Sequence, residues 1–281
     1  MQDQIFIRNL ECFANHGVFQ EEQVLGQKFL VSAVLYTDTM IAGKTDELSL
    51  SINYATVCEA IQRFMKEHTF RLIEAVAEQL AQSLLLEFPL VHRIKLEIKK
   101  PWAPVCMSLD TVGVSVERGW HTVYLGLGSN LGDKEANMQK AIAMFSEHPL
   151  CKECNCSTLY QTKPYGVKEQ DNFLNAAMSM KTLLSPREIL AFIGQVEQEL
   201  NRVREMHWGP RTIDVDILFY DALCMYEKDL IIPHIEVAKR DFVLAPLTEL
   251  NPYLEHPVLH KSIVELYENL QKQEGYEKNI I

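Results

Sequence analysis

Between Arg202 and Phe219 the chain gathers side chains suited to a polyphosphate: Arg202, Arg204, Arg211, Asp214 and Asp216. From Thr212 onward apolar and polar residues alternate, which predicts a strand with Ile213, Val215, Ile217 and Phe219 on one face and the two aspartates on the other. Carboxylates two residues apart on a strand lie roughly 6.5–7 Å from each other. Oxygen ligands at that spacing suit hard divalent cations, and Mg²⁺ commonly binds through one or two carboxylates together with substrate phosphates. The nearby guanidinium groups add the charge that a bound polyphosphate requires. An edge strand with a solvated face gives the same alternation, so the arginines are what lend the acidic pair a chemical meaning.

The first half shows no metal or nucleophile constellation by spacing. Its candidates are separated polar residues on predicted elements: Glu22 in a loop, Tyr54 opening a helix, Glu74 with Ile73 at the start of another, and Lys100 ending a strand. Pattern alone places these on the surface. His148, Cys151, Cys154 and Cys156 put four soft ligands within nine residues, but no second Cys/His pair has finger spacing, and the cysteines fit an approaching strand better than a zinc site.

The elements that must position these groups follow from periodicity. Ile5–Leu10 and Lys28–Tyr36 read as strands, Tyr54–Met65 and Ile73–Glu87 as helices, and Ile94–Lys99 and Val112–Glu117 as strands. That order predicts an antiparallel sheet with helices on one face. Arg118-Gly119-Trp120-His121 is the candidate boundary, dividing the chain into domains 1–119 and 120–281. The second half reads as a strand over Thr122–Leu127, a glycine turn with Asp133 as cap, and a helix near Lys134–Ser146. Strands at Cys156–Tyr160 and Phe173–Met180 follow, then a helix opened by the capping box Ser185-Pro186-Arg187-Glu188. After the aspartate strand, a last helix near Ser262–Leu270 precedes a polar tail.

A chain of 281 residues, 47% hydrophobic and 23% charged, suits two globular domains. Residues 1–120 hold 11 basic and 15 acidic residues and the remainder 16 and 23, so neither half has the basic surplus of a nucleic-acid binder. The opening residues lack the basic and long apolar regions of a signal peptide, there is no membrane-length apolar run, and seven scattered cysteines suit a reducing compartment; the expected location is cytoplasmic.

Trp-Gly-Pro-Arg-Thr-Ile-Asp-Val-Asp-Ile-Leu over residues 208–218 resembles the signature of the 6-hydroxymethyl-7,8-dihydropterin pyrophosphokinase family, and the likeness extends from 121 to about 270. It implies a ferredoxin-like α+β fold and transfer of a pyrophosphoryl group from ATP to a pterin hydroxymethyl oxygen. Carried onto this sequence, Asp214 and Asp216 would hold two Mg²⁺ ions. Arg204 and Arg211 match mobile-loop catalytic arginines, and Arg202, Glu197, Trp208, His234 and Arg240 match nucleotide contacts. Asn175, Phe242, Thr162 and Asn130 would line the pterin pocket. Glu205-Met206-His207 is shorter than the corresponding family segment.

Residues 1–119 resemble dihydroneopterin aldolase through His16-Gly17, Gly26-Gln27, Gly43-Lys44-Thr45-Asp46, Asn53-Tyr54, Leu72-Ile73-Glu74 and Lys100-Pro101. The resemblance implies a tunnelling-fold-like sheet and retro-aldol cleavage of 7,8-dihydroneopterin without metal or other cofactor. Lys100 and Tyr54 would move protons, Glu22 would orient the substrate hydroxyls, and Glu74 with Ile73 would bind the pterin. It further implies a homo-oligomer, an octamer by preference, with Tyr54 reaching a neighbour's site. The alternatives left open are a non-catalytic oligomerisation domain or an epimerase at the front of the chain, and a Schiff-base role for Lys100.

Overall fold

The structure is a computed structural model; it describes residues 3–163, 171–201 and 211–277, the last four by backbone alone. The chain divides into two compact units, Met1–Trp120 and His121–Ile281.

In the first unit, β1 (Asp3–Ala14), β2 (Gln27–Thr37), β3 (Arg93–Lys100) and β4 (Val112–Gly119) form an antiparallel sheet in that order. Between β1 and β2 lies the short helix α1 (Gln20–Leu25), and beyond β2 come α2 (Met40–Thr45), α3 (Tyr54–Glu67) and α4 (Ile73–Glu87). Strict alternation makes β2 and β3 one-sided. Phe29, Val31, Ala33 and Leu35 are fully buried, as are Ile94, Leu96 and Ile98. The helices contribute Val57, Ile61 and Met65 of α3 and Val76, Leu80 and Leu84 of α4 to the buried set. The expected helices on one face are therefore present. Three details differ from or add to the sequence expectation: β1 runs on to Ala14, α1 stands where a loop was predicted, and α2 lies in a stretch for which no element was predicted. Neither helix has a buried residue, so neither leaves an apolar stripe to read.

The second unit opens with β5 (His121–Ser129), followed by α5 (Lys134–Glu147), β6 (Cys151–Cys156), β7 (Tyr160–Thr162), β8 (Phe173–Thr182), α6 (Pro186–Glu199) and β9 (Asp214–Tyr220). The sheet order is β6-β8-β5-β9, all antiparallel, with β7 on β8. Leaving β7 aside, this βαββαβ succession has its fourth strand beside its first and its third beside its second, the ferredoxin-like arrangement. Helices α7 (Asp241–Leu250) and α8 (Ile263–Glu277) extend it, and α7 packs on β8. One core gathers Leu125, Leu127, Phe145, Ile193, Val215 and Ile217; the other gathers Tyr124, Phe219, Leu244 and Leu247.

Phe219 corrects the predicted alternation. A register shift opposite Tyr124 and Leu125 places an extra residue in β9, so Ile213, Val215 and Ile217 share one core while Phe219 turns into the other. The predicted strand over Cys156–Tyr160 is replaced by β6 before it and β7 after it. Cys151 is buried, Cys154 and Cys156 pack against the same core, and burial raises all three thiols above their ordinary range. They are core side chains, and among the described residues no group of three or more His, Cys, Asp or Glu is placed to hold a metal. Helix α7 was not predicted, because Pro246 interrupts its pattern. No helix of the described residues is long and apolar enough to cross a membrane.

Ser185 caps α6 as predicted, accepting from the Glu188 N–H while the Glu188 carboxylate accepts from Ser185 N. Ser185→Ala is expected to cost about 1 kcal/mol, read as a lower urea midpoint for the second unit with α6 still formed by hydrogen exchange; an unchanged midpoint contradicts the capping role.

Candidate functional site

In the first unit the site is built where β3 ends beside α1. Lys100 Nζ lies 2.5 Å from Glu22 Oε1, with the two side chains only 11% and 10% exposed. Glu22 is at the third position of α1, where its Oε2 accepts from Phe19 N at 3.1 Å, and Gln27 Nε2 donates to its Oε1 at 3.0 Å. Burial alone would raise the Glu22 carboxyl, but the hydrogen bonds from Lys100, Gln27 and Phe19 outweigh it and hold the group below the usual carboxylate range. The pair is thus a buried carboxylate and ammonium. Removing either partner strands a charge, at a cost of about 3–5 kcal/mol. Gly17 makes room for it: a Cβ there would stand 2.3 Å from Glu22 Oε2.

Behind the pair sits His16, fully buried between Phe29 and Phe70. Phe70 N donates to its Nδ1 at 3.2 Å, so the neutral ring carries its proton on Nε2. Burial first, and then the charges of His68 and Lys100, depress its pKa to about 4. Tyr54 and Glu74 open α3 and α4 with exposed side chains, and Ile73 is half-buried. Among the described residues, neither Tyr54 nor Glu74 makes a hydrogen bond or ion pair with Lys100 or Glu22.

In the second unit one row of residues crosses three strands. Asn175 of β8 pairs with Gly128 of β5, which pairs with Asp214 of β9. Directly paired residues project to the same face, so the Asn175 and Asp214 side chains stand roughly 10 Å apart with only glycine between them. A Cβ on Gly128 would come 3.1 Å from Asn175 Oδ1. Asp216 lies opposite Gly126 in the same manner. This face is opposite the one carrying Val215 and Ile217, and it is the face on which α7 packs.

Arg211 closes an ion pair with Asp214 through Nη1 and Oδ2. Its backbone is clamped to the end of β5: Arg211 N donates to Asn130 Oδ1 at 2.7 Å, Asn130 N donates to Arg211 O, and Ser129 Oγ donates to Thr212 O. Glu197 is buried, and its Oε1 accepts from Val215 N at 3.3 Å, between the two aspartates. Asn175 Nδ2 donates to Thr162 Oγ1 at 2.7 Å, joining two of the predicted pterin residues. His234 follows the cis Ile232–Pro233 bond, its N–H donating to Leu218 O. Arg240 and Phe242 flank the start of α7, the guanidinium 5.8 Å from the ring. The buried Nε of Arg240 has no hydrogen-bond partner among the described residues. Arg202, Arg204 and Trp208 lie outside the described residues. Paired carboxylate oxygens are hard donors that fit Mg²⁺ as a half-site, to be completed by phosphate oxygens and water.

Sequence reasoning used Gln27 and His16 only as parts of motifs. The signal was available: Gln27 shares the parity of Phe29, Val31 and Leu35, and Lys100 that of Ile94, Leu96 and Ile98, so both are polar residues at core-facing positions.

A ferredoxin-like domain with a paired-carboxylate row, joined to a four-stranded domain with a buried lysine–glutamate pair, defines the class. The chain belongs to the 7,8-dihydro-6-hydroxymethylpterin-pyrophosphokinase family, whose model matches residues 124–252, and residues 5–117 match the dihydroneopterin aldolase model. The chain is 42% identical over 132 residues to the 2-amino-4-hydroxy-6-hydroxymethyldihydropteridine pyrophosphokinase of Bacillus subtilis, covering 47% of this chain and 79% of that one. It is 31% identical over 287 residues to the folic acid synthesis protein FOL1 of Dictyostelium discoideum, covering 92% of this chain and 43% of that protein. The chain spans about two fifths of the length of the first curated relatives it matches. The crystal structure of E. coli dihydroneopterin aldolase in complex with neopterin is 31% identical, covering 42% of this chain and 99% of that chain, with a TM-score of 0.39.

His16 yields a pH prediction. Its folded pKa lies below its unfolded value, so the unfolded chain binds the extra proton between about 6.5 and about 4; the stabilisation is complete above that window and is lost as pH falls through it. The urea midpoint of the first unit is expected to fall more steeply from pH 7 to pH 4.5 in the parent than in His16→Gln. Parallel curves contradict the assignment.

Proposed function

We propose that the chain catalyses two successive pterin reactions. The first unit cleaves 7,8-dihydroneopterin to glycolaldehyde and 6-hydroxymethyl-7,8-dihydropterin, and the second transfers a pyrophosphoryl group from ATP to that product, releasing AMP. The observation that carries this reading is the presence in one chain of both family domains, each with its charged pair assembled: Glu22–Lys100 in one and Arg211–Asp214 in the other.

In the first reaction a base removes the proton of the side-chain C2′ hydroxyl. The C1′–C2′ bond breaks, glycolaldehyde leaves with the new carbonyl, and the electron pair passes into the reduced ring. Protonation at C1′ completes the hydroxymethyl arm. Lys100 manages these protons, with Glu22 orienting the hydroxyls and keeping the lysine in place. Glu74 accepts two hydrogen bonds from the amino-pyrimidine edge, beside Ile73, and Tyr54 delivers a proton from a neighbouring copy. That last role requires a homo-oligomer, for which an octamer through the first unit is the expected form. The exposed side chains of Phe13, Phe19, Leu25 and Tyr54 support such an assembly.

In the second reaction Asp214 and Asp216 are the residues to hold two Mg²⁺ ions, which when bound neutralise the triphosphate. Arg211 can rotate from Asp214 onto a phosphate oxygen, with Arg202, Arg204, His234 and Arg240 as its companions on the phosphates and Glu197 and Trp208 about the nucleotide. Asn175, Thr162, Asn130 and Phe242 hold the pterin so that its hydroxymethyl oxygen attacks in line.

The test supplies dihydroneopterin with and without ATP and Mg²⁺ and follows glycolaldehyde and AMP. Glycolaldehyde is expected in both cases, and AMP only with nucleotide and metal. Asp214→Ala or Asp216→Ala is expected to lower AMP release by more than about 100-fold with glycolaldehyde unchanged. Lys100→Ala should lower glycolaldehyde release by about 10²–10⁴-fold, with AMP release unchanged when 6-hydroxymethyl-7,8-dihydropterin is supplied directly. Near-parental AMP release by either aspartate variant removes the metal assignment, and near-parental glycolaldehyde release by the lysine variant removes the acid–base assignment.

A further inference from the structure

Gln27 carries an amide in a place where the alternation of β2 calls for an apolar side chain. The residue is 6% exposed, and its Nε2 faces two oxygens: Glu22 Oε1 at 3.0 Å and the backbone carbonyl of His16 at 3.4 Å. That environment fixes the amide. Turned over, it would set oxygen against a carboxylate and a carbonyl. Glu22 Oε1 is the same oxygen that meets Lys100 Nζ, so one atom receives both the ammonium and the amide. The other oxygen is taken by Phe19 N, and Gly17 leaves the space that the carboxylate fills.

We propose that Gln27 is a positioning residue of the first unit's site: its amide ties Glu22 to the His16 turn and holds it against Lys100 as an ion pair. This rests on the aldolase reading above. Glu22 has three donors from three elements, namely Lys100 at the end of β3, Phe19 N at the start of α1 and Gln27 at the start of β2. The titratable groups around it are Lys100, then His16, and His68 beyond His16. With His16 held neutral, Lys100 is the cation acting on Glu22, and among the described residues Gln27 is the one uncharged side chain that favours its ionised form. The loss of a buried hydrogen bond to a charged group shifts the titration of its acceptor by about one pH unit or more.

The experiment uses the full chain and the variants Gln27→Leu, close in volume without the amide, and Gln27→Glu, which sets a second carboxyl beside Glu22. The ¹³Cδ resonance of Glu22 is titrated in labelled protein, and the rate of glycolaldehyde release from dihydroneopterin is followed from pH 4 to 9. The Glu22 midpoint and the acid limb of kcat/KM are both expected to rise by about one pH unit in Gln27→Leu and further in Gln27→Glu, with kcat falling more than KM rises. A Glu22 midpoint at its parental value, or a rate lowered equally at every pH, overturns the proposal. Should one variant fail to fold, the other decides, and the carboxyl titration needs no turnover. If the parent itself releases no glycolaldehyde while Glu22 titrates as stated, the aldolase reading fails and the positioning role stands.

Discussion

Asp214 and Asp216 stand two residues apart on the edge strand of a close-packed sheet, and much of the second unit is arranged around that pair. A carboxylate removed from water needs a cation, a set of hydrogen-bond donors, or both. Here the partner strand presents glycine at both facing positions, so no β5 side chain covers the acids. Arg211 supplies the counter-charge to Asp214; its own backbone is held by Asn130, and Ser129 holds the carbonyl of Thr212 beside it. The same glycine strip keeps the row open as far as Asn175, which places Asn175 and Asp214 on one face of the sheet.

The first unit meets the same constraint by different means. Its buried charges are mutually neutralising, Lys100 with Glu22, and the surrounding polar groups set which protonation state persists. Two features make the arrangement specific. Gly17 has no side chain to occupy the carboxylate's position, and His16 remains uncharged, so no imidazolium competes with the Lys100 ammonium for Glu22. A lysine held this way is oriented by an ion pair.

Long periodic elements were legible in the sequence. Helix α4 over Ile73–Glu87 has the predicted ends, and the Ser185 capping box opens α6 as expected. The antiparallel sheet with helices on one face follows in the first unit from the order of elements, whereas the ferredoxin-like arrangement of the second was implied by the family resemblance. Less legible were features that depend on partners distant in the chain. The bulge that turns Phe219 into the other core is visible only in the pairing of β9 with β5, and α1 has no buried residue to give it a period. Glu22 and Lys100 are 78 residues apart, and their contact depends on how β3 ends beside α1. Motif order could nominate such residues, but only the sheet brings them within hydrogen-bond distance. The family match then assigns chemistry to a geometry that periodicity alone leaves unnamed.

The most direct test of the account is a crystal structure of the full chain grown with Mg²⁺, a non-hydrolysable ATP analogue and 6-hydroxymethylpterin. Mg²⁺ ions are expected about 2.0–2.1 Å from oxygens of Asp214 and Asp216, with the Arg211 guanidinium moved from Asp214 to the triphosphate and the pterin beside Asn175. Asp214 still paired with Arg211, and the triphosphate bound elsewhere without cations at the two aspartates, would contradict it.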